Sequence, residues 1–115
     1  MKKGRINLDI YLRWIDVYIT ENSADVAKIN KIFKSDLDKD TQGYAFVSED
    51  GLKYAVIYNK NAHSFNPGVV VHESMHLTQY VINSIGSKIS DNNAEEVAYL
   101  LEYIFMKSME IIDRK

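Results

Sequence analysis

The chain has no cysteine, one proline, five glycines and three histidines in 115 residues. The lack of cysteine excludes disulfides, thiolate metal ligands and a cysteine nucleophile together. His, Asp and Glu are left as the strong metal ligands, and a cytoplasmic setting fits best. Long apolar runs are missing too. Asn7, Asp9, Arg13 and Asp16 break up the stretch after the basic start, and nothing approaches the roughly 18 apolar residues of a membrane span, so neither a signal peptide nor a membrane anchor is expected. Nor is there an excess of one charge: 14 basic against 16 acidic side chains give a net −2, which supplies no broad field for nucleic acid or acidic lipid. Lys2, Lys3 and Arg5 read as a solvated N-terminal tip.

What is present is an ordinary globular balance, 46% hydrophobic and 26% charged, which argues against disorder and against a fibrous repeat. A chain of this length buries roughly two-thirds of its unfolded surface and has room for one core, so residues 1–115 are read as a single domain. Alternating apolar residues around Ile15, Val17 and Ile19 predict a strand near 14–20, with a further extended piece before it. Asn22 and Ser23 can cap a short helix in which Val26, Ile29, Ile32 and Phe33 recur at helical spacing. Residues 34–40 look like a calcium loop but lack its glycine and closing glutamate, so they read as a solvated loop. Residues 43–48 and 53–58, joined through Glu49-Asp50-Gly51, predict an antiparallel hairpin. Asn66-Pro67 and Gly86 bracket a helix of about five turns. A last helix is capped at Asn93, with Ala94, Val97, Ala98, Leu101, Ile104, Phe105, Ser108 and Ile112 as its buried stripe.

The chemistry concentrates in His72-Glu73-Ser74-Met75-His76. Histidines four apart on a helix project from one face one turn apart, the spacing that lets two imidazoles hold one cation. Glu73 lies about 100° around the helix from His72, off the line of the two imidazoles but able to reach a water on the metal, which suits a general base. It is the only charged residue between Pro67 and Gly86, and a carboxylate in so apolar a helix calls for a nearby cation. Glu95 and Glu96 on the following helix are the candidate third ligands. Glu96 sits three residues after Asn93, where a capping box already accounts for it. Glu95 has no such duty and is followed three places later by the small Ala98, so Glu95 is favoured, with Glu96 as the competing assignment.

His72-Glu73-Ser74-Met75-His76, eighteen intervening residues and then Glu95-Glu96-Val97-Ala98 resemble the gluzincin signature of zinc metallopeptidases. Residues 43–104 as a whole are similar to small bacteriophage-encoded proteins assigned as metallopeptidases. The resemblance implies His72, His76 and Glu95 as zinc ligands, Glu73 as the base that deprotonates the metal-bound water, and a peptide or protein as substrate. It implies a minimal zincin-like α+β fold, with a small, mainly antiparallel sheet packed on the paired-histidine helix and the glutamate helix alongside. Gluzincins also carry a helical lobe that walls the far side of the cleft and often lends a Tyr or His to the oxyanion. This chain has only twenty residues after Glu95, so no oxyanion donor carries over. The metzincin alternative, with a third histidine shortly downstream, is excluded because no histidine follows His76.

Simpler readings stand beside these. Two histidines can merely be hydrogen-bonded on a buried helix; His63 reads as a loop histidine, Gln79 as a local packing residue and Glu102 as solvent-facing. The rival function is a non-catalytic phage accessory or assembly protein that keeps the fold, and its zinc, to bind a phage or host protein. Glu73 speaks against that rival, because metal binding alone does not need it.

Overall fold

A computed structural model describes residues 1–114. Its elements, in chain order, are β1 (Lys2–Leu8), β2 (Arg13–Thr20), α1 (Ser23–Phe33), β3 (Gly43–Val47), β4 (Tyr54–Asn59), α2 (Pro67–Ser84) and α3 (Ala94–Ile112), with single tight turns at Asp9–Tyr11 and Asp91–Asn93. The result is a mixed α+β fold with one four-stranded sheet, ordered β1-β2-β4-β3.

The alternation in β2 buries Ile15, Val17 and Ile19 completely, as a strand with one face on a core requires. The second extended piece is β1, which pairs with β2 from Lys2↔Ile19 to Leu8↔Arg13. Lys2, Lys3 and Arg5 therefore do not form a solvated tip. They belong to an edge strand in which Ile6 and Leu8 are buried and Arg5 points outward to pair with Asp16 at 2.9 Å. The expected hairpin is the antiparallel pair β3–β4. The sheet is mainly antiparallel, but β2 and β4 run parallel, a pairing that strand periodicity cannot announce.

The two faces of the sheet are covered unequally. Phe33 of α1 stacks on Phe46 at 4.6 Å and meets Tyr18 edge-on at 5.4 Å, so α1 covers the face of Tyr18 and Phe46. Helices α2 and α3 pack on each other and on the opposite face. Gly43 opens β3 against Val69 and Glu73 of α2, and a hollow near the far end of β3 is lined by Val47, Tyr80 and Ser84, so α2 runs in the direction of β3. Helix α3 runs against β1. Ile111 lies over Gly4, the Tyr103 hydroxyl donates to the Asn7 carbonyl at 3.1 Å, and the Tyr11 hydroxyl donates to Glu96 at 3.0 Å. Since β1 and β3 point the same way across the sheet, α2 and α3 are antiparallel.

The helix ends of α2 follow the local chemistry. The Asn66 side chain accepts from the Gly68 N–H at 2.8 Å with Pro67 in the first turn, and Gly86 takes the left-handed φ of 76°. The start of α3 departs from expectation. The Asn93 side chain makes no bond to the helix; it turns back to accept from the Ser90 N–H at 2.9 Å and donate to the Lys88 carbonyl at 2.8 Å. Glu96 therefore has no capping duty, and its carboxylate takes the Tyr11 hydroxyl instead. The buried stripe of α3 is also rotated: Val97, Leu100, Ile104, Ser108, Ile111 and Ile112 are buried while Ala94 and Ala98 are exposed. The rotation follows from α3 lying over β1 and β2 as well as against α2.

Burial and the Glu96 carboxylate raise the Tyr11 phenol above its ordinary value of 10.0. A folded value raised above the unfolded one gives a contribution that is complete below pH 10.0 and fades as pH rises through the folded value. Glu96→Ala is expected to bring the Tyr11 titration down and to cost about 1 kcal/mol at neutral pH, the scale of one hydrogen bond to a charged acceptor near the surface. Urea melts combined with ultraviolet titration of the tyrosines test both.

Candidate metal centre

The apolar ladder of α2, with Val70, Leu77 and Val81 fully buried, fixes the rotation of the helix and so decides where the polar residues between them point. His72 and His76 emerge on the outer side, His72 exposed and His76 half-buried, with their Nε2 atoms 3.2 Å apart. Glu73 is carried inward toward β3 and is only 7% exposed. One of its carboxylate oxygens lies 3.9 Å from His72 Nε2. The potential ligand atoms of His72, Glu73 and His76 all fall within 4.8 Å of one another.

Glu73 can sit this deep because the strand facing it begins with glycine. A Cβ on Gly43 would lie 2.9 Å from Val69 Cγ1, closer than such atoms approach, and 3.1 Å from Glu73 Cγ, a contact that would make the Glu73 side chain give way. A glycine inside a strand pattern signals this kind of close approach in sequence. Gly43→Ala is expected to push α2 off β3, with a loss of about 1–3 kcal/mol as in other overpacked cores and a displaced Glu73, measured by urea unfolding and by metal affinity.

Burial pushes the Glu73 carboxyl above its usual range, against the opposing influence of His72, His76 and the Ala45 backbone N–H. A carboxylate so placed is held ready to take a proton, provided a cation nearby offsets its desolvation. Below Glu73 the Tyr58 hydroxyl donates to Ser108 Oγ at 3.3 Å and is pushed up to about 12 by burial, so it stays protonated and ties β4 to α3 beneath the site. The Tyr80 ring stacks on His76 at a centroid distance of 6.3 Å, one turn along the helix. Burial raises the Tyr80 phenol as well, with Tyr44 and Glu73 adding to the shift.

An open, mostly polar cleft of about 490 Å³ adjoins the cluster, lined by Asp40, Gln42, Gly43, Asn66, Gly68, Val69, His72 and Glu73. A larger share of apolar lining is found in a separate groove of about 500 Å³ by Leu8, Ile10, Tyr11 and Tyr99, away from the histidines.

The structure therefore brings His72, Glu73 and His76 together, as the sequence predicts, and does not bring Glu95 to them. Glu95 is exposed in the first turn of α3. That turn lies by Tyr11, beyond the end of β1, whereas Glu73 lies by Gly43, which shares a sheet row with Lys2 near the C-terminal end of α3. At 1.5 Å per residue, most of the length of α3, about 20 Å, separates the two ends. Glu96 is held by Tyr11, and Glu102, His63 and Gln79 are exposed and outside the cluster. The residues that sequence reading passed over are Gly43, Tyr80 and Asp40. Gly43 was legible as a strand glycine, Tyr80 as the next turn after His76, and Asp40 carried no local signal.

Compared with family models, with curated proteins and with solved structures, the chain matches none. Among the described residues no helix is long and apolar enough to cross a membrane.

Proposed function

We propose that this chain is a zinc-dependent metallopeptidase acting on a peptide or protein. The observation that carries the reading is the 3.2 Å separation of the His72 and His76 Nε2 atoms on one face of α2. Two nitrogens held by one tetrahedral zinc at about 2.05 Å stand about 3.3 Å apart, so the pair already has the spacing of two ligands. The buried Glu73 beside them adds the group that metal binding alone does not call for.

The donor set fits zinc: two imidazoles with carboxylates at hand and no thiolate. His72 and His76 would hold the ion. When bound, zinc supplies a Lewis acid that acidifies water and polarises a carbonyl. Glu73 then takes the proton of the attacking water on a carboxylate oxygen and delivers it to the departing amine nitrogen. The cleft beside His72 and Glu73 gives substrate access, and β3, one of the two edge strands of the sheet, offers an outer side along which an extended peptide can pair.

The placement of Glu95 favours a second reading, a phage accessory protein that keeps the metal but cleaves nothing. Metal analysis of the purified protein with a peptide-library cleavage assay separates the two. Zinc with cleavage supports the peptidase, and zinc without cleavage across the library supports the accessory protein.

A further inference from the structure

Two histidines and a base leave a zinc site one protein ligand short, since catalytic sites ordinarily use three protein ligands and an open position. With Glu95 at the other end of α3, we propose that Asp40 is the third protein ligand of a cation held by His72 and His76; this rests on the zinc reading above.

Among the described residues Asp40 is, apart from Glu73, the only carboxylate lining the cleft that His72 opens onto. It lies on the loop between α1 and β3, and its backbone is anchored on both sides. Asn59 Nδ2 donates to the Lys39 carbonyl at 2.9 Å, the Thr41 N–H to the Asp38 carbonyl at 3.2 Å, and the Asn59 N–H to the Gln42 carbonyl at 2.9 Å. The Asp40 N–H donates to Asp38 Oδ1 at 2.8 Å. Its own carboxylate is exposed and, among the described residues, takes part in no hydrogen bond or ion pair. Asp40 stands outside the group formed by His72, Glu73 and His76, so its side chain has to turn to meet a cation there, and among the described residues it breaks no other side-chain contact in doing so. Glu73 by contrast is packed against Gly43 and faces Ala45, which suits a base that stays off the metal.

The test uses the cysteine-free background of the chain. Zinc is titrated against a competing chelator for the wild type, Asp40→Asn, Glu95→Gln and His72→Ala, with circular dichroism as a check of folding. Asp40→Asn is expected to weaken zinc by more than the 10–100-fold of a change outside the ligand set, and Glu95→Gln to leave it unchanged. In a second experiment Asp40→Cys is loaded with Co²⁺, and a thiolate-to-cobalt charge-transfer band is expected, which no other residue of the chain can produce. If Asp40→Asn binds zinc like the wild type and Asp40→Cys shows no such band, while His72→Ala loses the metal, Asp40 is not a ligand and the zinc reading stands. If the wild type itself takes up no zinc, both fall.

Discussion

One zinc ion per chain, lost when either His72 or His76 is replaced by alanine, is the expected outcome of loading the metal-free protein. Both imidazoles stand ready at 3.2 Å, and neither is needed for the core, because His72 is exposed and His76 half-buried. Each alanine variant should therefore fold. A cation that binds only the folded chain stabilises it by about 2.7 kcal/mol when free zinc is a hundredfold above Kd, which in a chain of this size raises Tm by roughly 10 °C. Thermal melts with and without zinc, alongside elemental analysis, read the effect. The rise should vanish in His72→Ala and His76→Ala and should weaken in acid, because an imidazole must be unprotonated to ligate. A wild type whose Tm ignores zinc would remove the basis of the metal centre.

Glu73→Gln should separate chemistry from stability. The amide keeps the shape of the side chain but cannot accept the proton, so hydrolysis should fall by at least the 10²–10⁴-fold typical of general-base loss while zinc stays bound. The same change should stabilise the metal-free protein. Burial is the main cause raising the Glu73 carboxyl, so its ionised form is disfavoured in the fold. A raised folded value means that the contribution is full in acid, below the unfolded value, and is lost as pH rises through the folded one. At neutral pH the metal-free wild type therefore carries a cost that glutamine removes, and Glu73→Gln should melt a few degrees higher, with the gap closing toward acid. A variant that melts lower at neutral pH, or that loses zinc with activity, would assign Glu73 to the fold or to the ligand set instead of the base.

The parts of the fold legible in sequence are those decided by neighbours along the chain. Asn66-Pro67 and Gly86 bound α2 because a cap, a fixed φ and a left-handed φ act within a few residues. The β3–β4 hairpin and the buried face of β2 follow from period-two alternation. An extended piece before β2 is legible, but its reach back to Lys2 is not, because the outward side there is basic and the inward side includes Gly4, which admits Ile111 and leaves no apolar mark. The cap position of α3 is Asn93, as the sequence indicates, but its side chain has two routes, forward into the helix or back to Ser90 and Lys88, and the loop before it takes the second.

For the site, sequence alone determined the group built on one helix. His72, Glu73 and His76 meet because 3.6 residues per turn brings them together wherever the helix is placed. Sequence spacing could not decide which distant carboxylates lie near them and which do not. Eighteen residues separate His76 from Glu95, but α2 continues for two turns past His76 and α3 returns antiparallel along β1, so the first turn of α3 comes down by Tyr11 instead of beside the histidines. Only the packing of α3 on β1 and β2 sets that position, through contacts such as Ile111 on Gly4 and Tyr103 on Asn7. The same packing leaves the mouth of the cleft to the loop of Asp40, more than thirty residues before His72 in the chain. Local periodicity fixes angles and spacing within an element, whereas the meeting of two elements depends on how their apolar faces fill a shared core, and that is a property of the whole chain.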